Sequence, residues 1–164
     1  MCVALNALDA RVRVRGPDGR ERQIVFDEFH RLAGNTPQID TNLLPDELIL
    51  SIDLPKSPYS SHSCYLKVRD RASYAFALVS VAAAVAFDGP NISRARLSLG
   101  GVDHKPWRAQ SAEQMLIGKP LILENLKLAA DEALSQAQPH KFNEFKVDMA
   151  KRAIVRAFLI AGGS

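Results

Sequence analysis

The pattern best suited to binding chemistry is a row of basic residues at alternate positions, Lys67, Arg69 and Arg71, with Tyr65 preceding them in the same register. Alternate side chains of a strand lie on one face, so three cations and one aromatic ring would line up there. Such a face can bind a phosphate or carboxylate, or cover a planar ring. The ordinary alternative is a solvated strand face whose charges discourage edge pairing, and the pattern alone favours that alternative.

Other reactive side chains form no catalytic motif. Asp103 and His104 are adjacent in sequence, and adjacent residues of a strand point to opposite faces. Cys64 follows a serine-rich linker, and no nucleophilic role is expected for it. Gly100 and Gly101 fit no phosphate-loop pattern, so a structural turn is expected there. We therefore predict no catalytic residues and no metal ligands in this chain.

Composition excludes several classes of protein. The 164 residues carry 21 Lys and Arg against 18 Asp and Glu, a net charge of +3, which is too small to indicate a nucleic-acid partner. Two distant cysteines exclude a disulfide framework and a cysteine-ligated metal site, so a reducing, cytoplasmic location is expected. The longest apolar run, residues 75–87, is too short to cross a membrane.

The first 57 residues predict a small, mostly β unit. Residues 11–15 and 23–26 alternate around a Gly-Pro-Asp-Gly turn and predict a hairpin, and residues 48–54 predict a third strand. A helix is expected before the hairpin, and no capping residue precedes it. One explanation of the missing cap is that the sequence is a piece of a longer protein. The predicted apolar face of this helix consists of Met1, Ala4, Leu5 and Leu8.

A second unit is expected over residues 58–164, after a serine-rich linker that contains Pro58. The expected fold is α+β, with a three-stranded antiparallel sheet packed on a layer of helices. Ser111 and Gln114 match a capping box at the start of the first of these helices. The last helix is expected to bury Phe145. The predicted strands cover 65–71, 75–87 and 92–99, and the helices 111–117, 124–137 and 143–161.

Two longer segments, residues 65–77 (YLKVRDRASYAFA) and 99–109 (LGGVDHKPWRA), closely resemble the FAD-binding, medium subunit of molybdenum hydroxylases. This family comprises the xanthine dehydrogenase, aldehyde oxidoreductase and carbon monoxide dehydrogenase types. Residues 1–5 and 45–52 also look like family segments, and the resemblance extends over essentially all 164 residues. It covers only the C-terminal half of such a subunit.

The resemblance implies a flavin-binding role for two residues, a backbone contact at Ile49 and a cationic contact at Lys67. The Gly-rich FAD loops, the cysteine cluster for an iron–sulfur centre and the aspartate before the first helix are family features that this sequence lacks. We therefore expect FAD in the parent enzyme but only weak retention by this chain. The implied partners are a molybdopterin-binding large subunit and an iron–sulfur small subunit. Some similar enzymes are exported to the periplasm.

The sequence thus predicts a fragment of the FAD-carrying, electron-transferring subunit of a molybdenum hydroxylase, residues 1–57 completing a FAD-binding domain and residues 58–164 forming a flavoprotein C-terminal domain. The fragment is expected to be inactive alone. The alternative is a non-catalytic interaction or scaffold module that kept the fold and lost flavin chemistry. Self-association is also expected, through an exposed apolar patch formed by Met1, Leu5, Leu8, Val12 and Val14.

Overall fold

The computed structural model describes residues 1–163, which form two antiparallel sheets and five helices. The fold is α+β, as predicted. In chain order the elements are α1 (Cys2–Ala7), β1 (Arg11–Arg15), β2 (Glu21–Val25), α2 (Phe26–Phe29), β3 (Leu48–Asp53), β4 (Ser63–Val68), β5 (Val79–Asp88), β6 (Asn91–Gly100), β7 (Trp107–Arg108), α3 (Gln110–Leu116), α4 (Leu123–Ala133) and α5 (Phe145–Gly162).

The N-terminal sheet has the order β2-β1-β3, so the predicted hairpin and third strand are both present. Val12 and Val14 alternate with arginines and point into a small core closed by Ile24, Phe26 and Phe29. They are 1% and 0% exposed, so the predicted association patch is wrong at these two residues. The hairpin covers them because period-two alternation buries one face of the sheet.

The C-terminal sheet has the order β4-β5-β6-β7. Its first three strands were predicted, but β4 ends at Val68 and β5 begins only at Val79. Residues 79–85 are buried without alternation because both faces of β5 are covered, one by α5 and the other by α1. The two-residue strand β7 was not predicted; it pairs with Ser98 and Leu99 of β6.

Helices α3 and α5 cover one face of the C-terminal sheet, and α4 packs against both helices. Alanines dominate the buried faces of α4 and α5, which lets the helix backbones approach closely. The predicted capping box is wrong, because α3 begins at Gln110 after Ala109 and Ser111 lies inside the helix. Phe145 is also not buried, since it stands in the first turn of α5 with 53% of its surface exposed.

Helix α1 packs on the opposite face of the C-terminal sheet, against β5 and β6. It uses Val3 and Ala7 there. Of the predicted face, Ala4 packs against the same cluster, Leu5 packs against the N-terminal core and Met1 is 88% exposed. Gly100 permits this approach, because a Cβ atom there would lie 2.5 Å from the Val3 Cγ2 atom. Among residues 1–163, no helix is both long and apolar enough to cross a membrane.

Candidate functional site

Ile49 lies on β3, the edge strand of the N-terminal sheet. The pairing of β1 with β3 shifts between Arg13 and Val14, so that Leu50 is an extra residue in a β-bulge. Because of this bulge, Ile49 and Ile52 both pair with buried valines of β1 and share their face of the sheet. Ile49 is nevertheless 49% exposed.

Strand β3 is mostly apolar, with Ser51 and Asp53 as its polar residues, and one of its edges pairs with no described strand. An edge strand presents unpaired N–H and C=O groups, and proteins normally blunt such an edge with charged side chains. Here five exposed apolar side chains lie along β3 and just after it, interrupted by Ser51 and Asp53. We call them the β3 row, which consists of Leu48, Ile49, Leu50, Ile52 and Leu54. A row of this kind is typical of a surface that binds a ligand or another chain.

Lys67 lies on β4, the edge strand of the C-terminal sheet, and its side chain is exposed. Its Nζ atom donates a hydrogen bond to the Ala75 carbonyl oxygen at 2.6 Å. Arg71 donates likewise to the Tyr74 carbonyl. The predicted cationic strand face is therefore wrong: β4 ends before Arg69, and the two cations instead brace the backbone of the loop over residues 69–78.

This loop presents two aromatic side chains outward. Tyr74 and Phe76 are 95% and 99% exposed, and Tyr74 adopts a positive φ of 48°. A left-handed conformation is uncommon for a bulky residue and persists only where the surroundings hold it. The bonds from Lys67 and Arg71 to the adjacent carbonyls supply that restraint.

Ile49 and Lys67 lie on different sheets. The contacts between the two sheets therefore determine how these two residues are placed relative to each other. The connection is a cluster of charged residues, here called the joint, made of Asp9, Arg96, Arg108 and Glu113. Asp9 follows α1 and precedes β1, and its φ of 54° turns the chain sharply between the two sheets. The other three residues belong to β6, β7 and α3 of the C-terminal unit.

Arg108 is the central cation of the joint, with 7% of its side chain exposed. It pairs with Glu113 and donates from Nη1 to the Asp9 carboxylate at 2.9 Å and to the Asn6 carbonyl at 2.6 Å. Burial alone would lower its pKa, but hydrogen bonds and charge attraction from Glu113 and Asp9 outweigh burial and raise the pKa. Glu113 also accepts the Leu97 backbone N–H at 2.7 Å.

A second bridge between the sheets centres on Asp27 of α2. Its carboxylate accepts from the Asn6 amide at 2.9 Å, and its carbonyl oxygen accepts from Lys105 Nζ at 2.8 Å. Asn6 is buried on α1 and also accepts from the Ser98 hydroxyl of β6 at 3.1 Å. Sequence reasoning missed both bridges, since their members are separated by up to 102 positions and no local pattern marks them.

Reactive side chains also lie outside the two predicted site positions. Within residues 1–163, no group of three or more His, Cys, Asp or Glu side chains is placed to hold a metal ion. Burial raises the pKa of the Cys64 thiol, which disfavours the nucleophilic thiolate. A cavity of about 420 Å³ between α4, α5 and the loop after β6 is lined by Trp107, His140 and Lys146. Lys146 already donates to the Gly101 carbonyl at 3.1 Å there.

Comparison with known proteins gives consistent matches. Residues 64–161 match the family model of the CO dehydrogenase flavoprotein C-terminal domain. The chain is 44% identical over 154 residues to the aldehyde oxidoreductase FAD-binding subunit PaoB of Escherichia coli, covering 94% of this chain and 45% of that protein. It is 34% identical over 139 residues to the glyceraldehyde dehydrogenase medium chain of Sulfolobus acidocaldarius, covering 85% and 47% respectively.

The fold agrees with a solved structure. Reconstituted CO dehydrogenase from Oligotropha carboxidovorans superposes with a TM-score of 0.87 at 23% identity, over 99% of this chain and 56% of that one. The chain thus spans about half the length of the relatives it matches. Since the family model covers more than half of its residues, the chain belongs to the CO dehydrogenase flavoprotein C-terminal domain family.

Proposed function

We propose that this chain forms one wall of the FAD site in the FAD-carrying, electron-transferring subunit of a molybdenum hydroxylase of the xanthine or aldehyde oxidoreductase type. The proposal is supported by the 44% identity to a subunit that is named both as FAD-binding and as part of an aldehyde oxidoreductase. Residues 1–57 would complete a FAD-binding domain, and residues 58–164 would form the flavoprotein C-terminal domain.

The observation that carries the proposal is the open, apolar edge of β3. The ring system of a flavin is planar and apolar along one end and carries hydrogen-bonding oxygen and nitrogen atoms at the other. Unpaired backbone groups of an edge strand can meet those polar atoms, while the β3 row can contact the apolar end. In this assignment Ile49 contributes the backbone contact.

Lys67 is assigned the cationic contact. An ammonium group has three donors, and the structure gives one of them a partner, the Ala75 carbonyl. The remaining donors can reach acceptor atoms of a ligand at the edge of β4. When bound, the flavin supplies the electron-transfer chemistry, and the residues of this chain bind and orient it.

The chain is expected to bind FAD weakly and to be inactive alone. The pyrophosphate of FAD needs convergent backbone N–H donors, usually at a glycine-rich loop. None of the described glycines opens a helix in such a loop. What this chain offers is therefore a contact surface for the ring rather than a cradle for the phosphates.

A titration of FAD into the purified chain tests the proposal. We expect quenching of flavin fluorescence with weak affinity, and a Lys67→Gln variant should lower that affinity about tenfold, as loss of a charge-assisted hydrogen bond of roughly 1.5 kcal/mol implies. Lys56→Gln, which removes an exposed lysine before β4, is the matched control and should have no effect. Equal binding by the Lys67 and Lys56 variants would contradict the assignment of Lys67. Tight, stoichiometric binding of FAD by the wild-type chain would contradict the proposal that this chain lacks a binding site for the FAD phosphates.

The partners proposed for the parent enzyme are the molybdopterin-binding large subunit and the iron–sulfur small subunit. A chain that supplies a surface for them should co-purify with both when the three are co-expressed. Co-purification without any flavin binding would instead favour the scaffold alternative.

A further inference from the structure

Arg96 on β6 contacts both chain segments that connect the N-terminal sheet to the rest of the molecule. Its Nε and Nη2 atoms each lie 3.0 Å from Oδ2 of Asp9, in the turn that leads from α1 into β1. Its guanidinium also lies over the ring of Tyr59, 5.7 Å from the centroid. Tyr59 belongs to the segment that leads from β3 back to β4.

The geometry of this arrangement is that of a clamp. Helix α1 packs on the C-terminal sheet, so the segment from β1 to β3 leaves that body at Asp9 and returns to it at Tyr59. One guanidinium holds both points. The contact is a sheltered one, because Tyr59 is 5% exposed and the Arg96 side chain 28%. A planar guanidinium can bind a carboxylate along its edge and stack on a ring with its face, which a lysine ammonium cannot do.

The rest of the joint fixes Arg96 in place. Its Nη1 atom donates to the Ala95 carbonyl at 3.0 Å and lies 3.9 Å from the Glu113 carboxylate. The Tyr59 hydroxyl is buried and has no hydrogen-bond partner among residues 1–163. Its ring is therefore held by packing and by Arg96 rather than by its own polar group.

We propose that Arg96 is a positioning residue that sets the N-terminal sheet against the C-terminal sheet, and thereby fixes the placement of Ile49 relative to Lys67. The consequence for flavin binding rests on the proposed function, whereas the clamp itself does not. Removing the guanidinium should loosen the N-terminal sheet, which Arg108 and the Asp27 bridge still tether. The C-terminal sheet, with its own large core, should keep its structure.

Hydrogen exchange of the purified chain tests the clamp. In Arg96→Gln we expect amides of β1 and β3 to exchange about tenfold faster or more, with amides of β5 and β6 changed less than about twofold. Arg96→Lys keeps the charge but not the planar group, so it should restore only part of the protection. Arg94→Gln, which removes an exposed arginine two residues earlier on the same strand face, is the matched control.

Tyr59→Leu removes the second contact of the clamp, the ring beneath the Arg96 guanidinium. It keeps the proposal testable if the Arg96 variants fail to fold. It should accelerate exchange in the same strands, and full recovery of protection in Arg96→Lys or unchanged exchange in Tyr59→Leu would overturn the clamp. Fluorescence of Trp107, the single tryptophan, should remain as in the wild type, since it reports on the C-terminal unit.

Flavin affinity supplies a readout that a purely structural role would leave unchanged. If the wild-type chain binds FAD, Arg96→Gln should lower the affinity at least as much as Lys67→Gln while Trp107 fluorescence stays native. Unaltered FAD affinity in Arg96→Gln would overturn the link to the site. Absence of FAD binding in the wild type would count against the proposed function alone, because the exchange experiment needs no flavin.

Discussion

Glu113 of α3 and Arg108 of β7 form an ion pair in which only 4% and 7% of the side chains are exposed. Removing one partner of a buried pair leaves the other charge without compensation, which costs about 3–5 kcal/mol. We therefore expect Glu113→Ala to lower the free energy of unfolding by about 3 kcal/mol, at the low end of that range, because Asp9 still contacts Arg108.

Chemical denaturation followed by Trp107 fluorescence measures this loss. Glu132→Ala is a suitable control, since this α4 carboxylate makes no ion pair with any described residue and its loss should cost little. The double variant Glu113→Ala with Arg108→Met should lose less free energy of unfolding than the two single variants lose together, because no unpaired buried charge remains. Additive losses would show that the two residues do not act as a pair.

We expect Glu47, just before β3, to make the stability of the N-terminal sheet depend on pH. Its carboxylate accepts from Arg22 of β2 at 2.7 and 2.8 Å and from the Leu44 N–H at 2.7 Å. The hydrogen bond from Arg22, aided by the one from Leu44, lowers the pKa of Glu47. A carboxylate with a lowered folded-state pKa stabilises the fold above its unfolded-state pKa and loses that contribution as the pH falls through the folded value.

We therefore expect wild-type protein to be more stable than Glu47→Gln at neutral pH, and the difference to shrink as the pH falls below about 4. Melting temperatures of both proteins between neutral and acidic pH provide the measurement. Glu28 is an exposed carboxylate on α2, and the melting temperature of Glu28→Gln should change with pH as that of the wild type does. A gap between wild type and Glu47→Gln that stays constant with pH would rule out ionisation of Glu47 as its origin.

Local patterns in the sequence predicted the elements with strong periodicity. The alternation around Val12 and Val14 was enough for the hairpin, and the alanine stripe of α4 was enough for its buried face. Patterns failed where a distant contact decided the outcome. Ser111 looked like a helix cap, but α3 begins one residue earlier at Gln110, so Ser111 lies inside the helix and no capping box forms. Glu113 in the same turn contacts Arg108 and the Leu97 N–H, which no local sequence pattern indicates.

The candidate site was harder to predict for the same reason. Resemblance pointed to Ile49 and Lys67, but the bulge at Leu50 and the bracing of the 69–78 loop carry no sequence signal. The joint was even harder to predict from the sequence, because an isolated Asp or Arg is ordinarily expected to be a surface residue. Arg108 and Glu113 are buried in the joint, and the joint forms where α1 packs on β6, a contact between residues some 90 positions apart.

The β3 row should drive association of the isolated chain, in place of the patch at Val12 and Val14. A strand edge that is apolar and unpaired is a template for a second copy, and charges on it oppose such pairing. Leu48, 70% exposed, is the most accessible residue of the row. We expect light scattering to show a mass that rises with concentration for the wild type and falls to that of a monomer for Leu48→Lys.

Leu128→Lys provides the matched control, because Leu128 is also a half-exposed leucine, 48% accessible, but lies on α4 away from the strand edge. Its mass should follow the wild type. If flavin covers the β3 row as proposed, saturating FAD should also reduce the association of the wild type, since both occupy the same surface. A strictly monomeric wild type at every concentration, or equal association by both lysine variants, would show that the open edge of β3 does not recruit a second copy.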